Sequence, residues 1–140
     1  MIEESLFKTE IFCAKTQNLS SVWDFVSSEL SAHGVSEAEM MRIELAVEEV
    51  FVNIASYAYP DKEGDARVSV AVIDDHVTIR FEDSGEPFDP LKADEPDIDA
   101  PLEKRTIGGL GIFLVKEMMD DVQYEYKDGK NILMFSKYRG

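Results

Sequence analysis

The sequence has little that would support cysteine, histidine or nucleic-acid chemistry. It contains one cysteine, Cys13, and two histidines, too few for an internal disulfide or a structural zinc site. Lysine and arginine total 14 against 29 acidic residues, so the formal net charge of −15 excludes a surface suited to phosphate backbones. No apolar run approaches a membrane span in length, and the N-terminus lacks the basic start of a signal peptide. These absences predict a single cytoplasmic domain over residues 1–140.

Two common nucleotide-binding signatures are also missing. The sequence has no G-x-x-x-x-G-K-[ST] phosphate loop and no G-x-G-x-x-G preceded by a strand. With so acidic a chain, ATP would need a divalent cation to bind. The acidic surface suits either solubility or a basic protein partner.

Hydrophobic periodicity and capping signals predict the order of the secondary structure elements. A strand is expected over residues 6–15. Asn18 is expected to cap a helix ending near residue 33, and Ser36 to open a second helix with a capping box and an end before Pro60. Two strand pairs (67–73 with 77–81, and 121–126 with 131–137) read as hairpins, and a third helix is expected over 110–119. This order predicts an α+β fold, a two-layer α/β sandwich with a mostly antiparallel sheet covered on one face by about three helices.

The second helix carries a carboxylate and a carboxamide in an otherwise apolar stretch. Glu49 and Asn53 are four residues apart and therefore share one helix face. The surrounding residues are apolar on every side, which predicts a helix buried all round. A buried carboxylate needs a partner, and an asparagine oxygen can coordinate Mg²⁺, so Glu49 could accept a proton beside a bound metal. A plain buried hydrogen-bonding pair is an equal alternative.

Two glycine-containing motifs add to this pair. Asp83 ends a strand and is followed by Ser84 and Gly85, where a carboxylate can accept from an amino group such as that of adenine. Gly85 would permit a turn or the close approach of a ligand. Gly108, Gly109, Leu110 and Gly111 precede a helix, where exposed backbone N–H groups can bind phosphate. Taken singly, the first motif is also a common turn and the second a common flexible loop.

A long segment rich in proline and acidic residues separates these motifs. It runs over residues 86–107 and shows little periodicity. Such a segment in a small domain indicates either a functional lid or disorder.

In combination, the motif order E-x-x-x-N, D-x-G, proline-rich segment and GGLG resembles the GHKL (Bergerat-fold) ATPase superfamily. Within it, the sequence Tyr57-Ala58-Tyr59-Pro60, the sequence after the D-x-G motif and the GGLGIFLV stretch are similar to the anti-sigma factor serine/threonine kinases. Tyr57 stands where many of these kinases have a histidine.

The resemblance implies a cytoplasmic kinase that uses ATP and Mg²⁺ to phosphorylate a serine on a STAS-domain anti-anti-sigma protein. It also implies binding of a sigma factor and a homodimer. No contact with nucleic acid or membrane is expected, given the acidic composition and the lack of a long apolar run. Glu49 would be the general base, Asn53 the Mg²⁺ ligand and Asp83 the residue that recognises adenine. The remaining nucleotide contacts would come from the lid and glycine loops, at Gly85, Arg105, Thr106, Gly108, Gly109, Leu110 and Gly111.

The sequence leaves two alternatives open. An ATP-gated module could bind its partners without significant kinase activity. An isolated ATPase domain of a sensor kinase fits less well, because the chain has neither a phospho-acceptor histidine motif nor a second domain.

Overall fold

The computed structural model describes residues 3–87 and 115–138. A five-stranded sheet has the spatial order β1-β2-β3-β5-β4, and every neighbouring pair is antiparallel. The strands are β1 (Lys8–Cys13), β2 (Asp65–Ile73), β3 (His76–Asp83), β4 (Asp121–Lys127) and β5 (Lys130–Tyr138). Both predicted hairpins are confirmed, as β2–β3 and β4–β5.

The helices form the second layer. They are α1 (Leu19–Ala32) and α2 (Glu37–Tyr57), and residues 115–118 are also helical. Both helices and Val115 share one apolar core with the sheet, which confirms the two-layer α+β sandwich. The largest fully buried side chains belong to α1, α2, β2, β3 and β5 (Val22, Val26, Leu30, Ile43, Val47, Phe51, Val68, Val70, Val77, Ile79, Phe81, Phe135). None of the helices within the described residues is long and apolar enough to cross a membrane.

The tight turns follow from residues that tolerate positive φ. Asp74, in the β2–β3 turn, has φ of 51°, and the β4–β5 turn has Asp128 at 55° and Gly129 at 77°. Two successive positive φ values match the type I′ turn, whose twist fits that of antiparallel strands. The Asp-Gly pair therefore fixes the register of the closing hairpin.

The two predicted helix caps have different outcomes. The Ser36 hydroxyl accepts from the backbone N–H of Glu39 at 3.3 Å, as the capping prediction requires. Asn18 occupies the predicted N-cap position of α1, but its side chain makes no capping hydrogen bond and its Nδ2 donates to the Cys13 carbonyl at 3.0 Å. Asn18 ends a 3₁₀ turn at φ −93° and ψ 2°, so it lacks the extended backbone that an N-cap residue normally has.

The prediction that α2 is buried on every side is also wrong. Its buried residues lie along one side (Ile43, Ala46, Val47, Val50, Phe51, Ile54). Leu45 is 51% exposed and Met41 68% exposed. The reason is the layer architecture: a helix in the outer layer packs on the sheet with one side and meets solvent with the other.

Candidate functional site

A cavity lies between the C-terminal half of α2 and the ends of β3 and β5. Its walls are mostly apolar, and a few polar side chains point to one region. The lining residues are Val50, Asn53, Ile54, Tyr57, Ala58, Phe81, Asp83, Glu86, Tyr124, Asn131 and Leu133. An apolar pocket with few convergent polar groups is the usual form of a small-molecule site. Two of the predicted site residues, Asn53 and Asp83, therefore line one cavity.

Asp83 is the buried charge of this cavity. It is the last residue of β3 and only 7% exposed. Its Oδ1 accepts from the backbone N–H of Gly85 and from Nδ2 of Asn131, each at 2.9 Å. Burial raises the pKa of the Asp83 carboxyl above its ordinary value of 3.8, and these two hydrogen bonds partly oppose the rise. Neither bond uses Oδ2, so that oxygen can accept from a ligand.

Asn131 orients this carboxylate and was not anticipated from the sequence. It pairs directly with Asp83 across β3 and β5. Its Oδ1 accepts from the Tyr124 hydroxyl, while its Nδ2 also donates to the Glu86 carbonyl at 2.8 Å. Tyr124 on β4 and the Glu86 carbonyl after β3 thus hold the side-chain amide of Asn131 in place, and this amide in turn holds Oδ1 of Asp83. A buried carboxamide positioned from both ends is a stiff support for a ligand-binding group.

The structure gives a packing reason for the glycine at position 85. A Cβ at this position would lie 2.1 Å from the carbonyl oxygen of Ala58, the C-cap residue of α2. The backbone N–H of Glu86 donates to that same carbonyl at 3.1 Å. Gly85 is therefore needed so that the segment after β3 can pack against the end of α2. This contact joins the helix that carries Asn53 to the strand that carries Asp83.

Tyr59 makes a second junction between the same elements. Its hydroxyl donates to the Asp65 carbonyl at 2.6 Å and accepts from the Ser84 N–H at 2.8 Å. The ring packs so closely on Gly64 that a Cβ there would lie 2.2 Å from a ring carbon. Burial raises the pKa of the Tyr59 hydroxyl, so it stays protonated and keeps its donor.

Glu49 and Asn53 occupy successive turns of α2 and are both partly buried. Burial, followed by the charge of neighbouring Glu48, raises the pKa of the Glu49 carboxyl. The Nδ2 atom of Asn53 is buried and makes no hydrogen bond within the described part of the chain. An amide left unpaired beside a cavity is costly unless a bound group satisfies it. The unpaired Nδ2 donor therefore fits a bound ligand that offers an acceptor oxygen.

The other predicted contacts lie outside the described residues. These are Arg105 and Thr106, the glycine loop of Gly108, Gly109, Leu110 and Gly111, and nearly all of the expected lid over 86–107.

The arrangement has the chemistry needed to hold a flat heteroaromatic ring. Phe81, Leu133 and Ile54 offer apolar surface, and Asp83 Oδ2 offers a charged acceptor at one edge. Glu49 lies one helical turn from Asn53, where a carboxylate with a raised pKa can accept a proton.

Comparison with known proteins agrees with this geometry. Residues 12–137 match the family described as the histidine kinase-like ATPase domain. The chain is 34% identical over 110 residues to the serine-protein kinase RsbW of Oceanobacillus iheyensis, an alignment covering 75% of this chain and 69% of that protein. The chain belongs to the histidine kinase-like ATPase domain family. It is also 31% identical over 113 residues to the serine-protein kinase RsbW of Listeria monocytogenes, covering 77% of this chain and 71% of the relative.

Two solved structures share the fold at low sequence identity. One contains the RsbU and RsbW domains of a Mycobacterium tuberculosis protein, with a TM-score of 0.65 and 13% identity; the match covers 94% of this chain and 32% of that one. The catalytic domain of the histidine kinase ThkA has a TM-score of 0.55 and 12% identity, covering 94% and 97%.

These relationships confirm the predicted GHKL resemblance and the predicted class of enzyme, a protein serine/threonine kinase that uses ATP.

Proposed function

We propose that this kinase binds Mg²⁺-ATP in the cavity between α2 and the sheet and transfers the γ-phosphate to a serine of a partner protein. The observation that carries the proposal is the state of Asp83. It is buried, with a pKa that burial raises, and its Oδ1 is held by two donors while Oδ2 is used by neither bond. A carboxyl group whose pKa is perturbed by burial at the wall of a cavity is a candidate for ligand binding.

Adenine is the ring that suits this cavity. Its exocyclic amino group is a donor, and a carboxylate is an acceptor only. Apolar side chains from both layers would cover the ring faces, and Asn131 would hold the carboxylate in place. The hydrogen bond to an ionised acceptor contributes roughly 1.5–3 kcal/mol.

Asn53 is the residue proposed to hold Mg²⁺. Its Oδ1 is an oxygen ligand of the type that Mg²⁺ accepts, alongside water and phosphate oxygens, and its unpaired Nδ2 could donate to an oxygen of the bound nucleotide. The ion would supply neutralisation of the phosphate charge, which phosphoryl transfer requires. Arg105, Thr106, Gly108, Gly109, Leu110 and Gly111 are proposed, from the motif resemblance, to bind the nucleotide from the lid side.

Glu49 is proposed to receive the proton of the attacking serine hydroxyl. A base works best when its pKa approaches the working pH, and burial together with Glu48 moves the pKa of Glu49 upward. Because the deprotonated form is the active one, the transfer rate should fall on acidification, beginning at a higher pH than for an ordinary glutamate.

The motif resemblance supports finer proposals about the partners. The acceptor is proposed to be a STAS-domain anti-anti-sigma protein, and a sigma factor is proposed to compete for the kinase. A homodimer acting in the cytoplasm completes this proposal. The names of the relatives, serine-protein kinases, support serine as the acceptor residue.

The test is transfer of radiolabelled phosphate from ATP to a STAS-domain protein encoded next to this kinase. Glu49→Gln preserves shape and should bind ATP nearly normally, yet transfer phosphate at least about 100-fold more slowly. Glu48→Gln is the matched control, and at saturating acceptor it should keep the wild-type transfer rate at neutral pH. On acidification its rate should begin to fall at a lower pH than in the wild type, because the negative charge that adds to burial in raising the pKa of Glu49 is gone. Equal rates for wild type and Glu49→Gln would remove Glu49 as the base, and an inactive wild type would contradict the kinase proposal.

A further inference from the structure

The outer face of α2 carries an apolar stripe that leads directly to Glu49. Met41, Leu45 and Glu49 follow one another at intervals of four residues and so share one face of the helix. Met41 and Leu45 are among the most exposed large apolar side chains within the described residues. Glu44 and Glu48 lie beside this stripe and are exposed as well.

Glu49 therefore has two different neighbourhoods along the helix axis. Asn53, one turn toward the C-terminus, lines the cavity. Toward the N-terminus lie Leu45 and then Met41, within about 12 Å of helix at 1.5 Å per residue. Helical side chains lean toward the N-terminus, so the Glu49 side chain extends over the turn that holds Leu45.

We propose that this stripe, Met41 and Leu45 with the flanking Glu44 and Glu48, is the surface on which the phospho-acceptor protein docks. The inference rests on the proposed function. A serine on a folded protein cannot reach Glu49 without the surface around that serine covering adjacent parts of the kinase. The cavity takes up the C-terminal direction, so the partner lies along the stripe.

The stripe also defines the chemistry of its occupant. Two exposed apolar side chains gain stability when a partner buries them, and the acidic flanks select for a basic surface. The occupant is therefore a folded protein that has an apolar side chain and at least one lysine or arginine beside its acceptor serine. A negatively charged acceptor surface would be repelled by Glu44 and Glu48.

The test uses the double variant Met41→Gln/Leu45→Gln. Glutamine forms helices nearly as well as leucine and methionine, so these exposed positions should keep the fold and the affinity for Mg²⁺-ATP. The KM for the STAS-domain acceptor should rise about tenfold or more, with little change in kcat. The matched control is Leu6→Gln, since Leu6 is 51% exposed like Leu45 but lies in a 3₁₀ turn before β1.

A second arm tests the charge. Glu44→Lys should raise the KM for the acceptor and make it less sensitive to salt, whereas Glu10→Lys, at an exposed position on β1, should leave it unchanged. An unchanged KM in both the double variant and Glu44→Lys, with wild type active, overturns the docking surface and leaves the kinase proposal standing. An equal rise in Leu6→Gln also overturns it. A wild type that phosphorylates no STAS-domain protein removes both proposals.

Discussion

Replacing Asp83 by asparagine should stabilise the protein while it weakens nucleotide binding. The carboxylate is buried, and its raised pKa means that the folded state disfavours its charge. Each unit of such a rise corresponds to about 1.4 kcal/mol of lost stability at neutral pH. Asp83→Asn removes this cost but keeps an oxygen that can accept from Gly85 and Asn131. Because the residue lines the cavity, the new amide nitrogen can reach water.

The pH dependence of this gain has a definite sign. The folded pKa of Asp83 lies above the ordinary value of 3.8, so the folded state binds the proton more tightly. Below pH 3.8 the aspartic acid is protonated in both states, and wild type and variant should have nearly equal stability. Between pH 3.8 and the folded pKa, the carboxyl group ionises in the unfolded chain while the folded wild type still holds its proton, so the wild type loses stability as the pH rises. The stability advantage of Asp83→Asn should therefore grow between these two pKa values and stay constant at higher pH.

Asp83→Ala is the matched comparison. It leaves the Gly85 N–H and one donor of Asn131 without their acceptor, at roughly 1–3 kcal/mol for each unsatisfied group. Urea unfolding between pH 4 and pH 8, followed by circular dichroism, should rank Asp83→Asn above wild type and Asp83→Ala below it. Refutation would come from an Asp83→Asn variant that is less stable than wild type at pH 7, or from a stability difference that does not change with pH.

The same variant tests the adenine assignment. Loss of a charged acceptor should weaken ATP binding roughly 10- to 100-fold. An inosine nucleotide, which lacks the exocyclic amino group, should bind wild type poorly. Calorimetry that finds equal affinity for ATP and ITP would remove Asp83 from the site.

Three further predictions follow from contacts around the cavity. Asn53→Ala should abolish most Mg²⁺-dependent ATP affinity without lowering the melting temperature, because the lost amide nitrogen is buried and unpaired. Calorimetry with and without Mg²⁺ checks this prediction, and an unchanged affinity for Mg²⁺-ATP would contradict the assignment of Asn53 as the metal ligand. Gly85→Ala should cost about 1–3 kcal/mol and weaken ATP binding, since its methyl group would meet a carbonyl oxygen at 2.1 Å. Gly129→Ala, with φ of 77° but nothing within 4 Å, should cost only about 1 kcal/mol and leave ATP affinity intact; equal effects of the two substitutions on ATP affinity would contradict the packing argument. Tyr59→Phe should lose about 1–3 kcal/mol in urea unfolding, as two backbone groups lose their hydroxyl partner, and a variant as stable as wild type would show that this junction is dispensable.

Much of the fold was predictable because its signals are local. The Asp128-Gly129 turn, the capping serine at position 36 and the alternation in β2 and β3 act over a few residues. The Glu49 and Asn53 spacing likewise places both side chains on one helix face whatever surrounds the helix. Asp83 could be recognised as a candidate because a carboxylate at the end of an apolar strand is an acceptor that suits a donor such as the amino group of adenine.

The sequence by itself determined the order of elements, the two hairpins and three of the residues that define the candidate site. Only the tertiary structure decided that β3 pairs with β5, which brings Asn131 to Asp83 across 48 positions of sequence. It also decided that Gly85 meets Ala58 and that Leu45 faces solvent. The physical reason is common to all three: turns and caps depend on the dihedral angles and hydrogen bonds of neighbouring residues, whereas strand order and helix burial depend on how whole layers pack against each other.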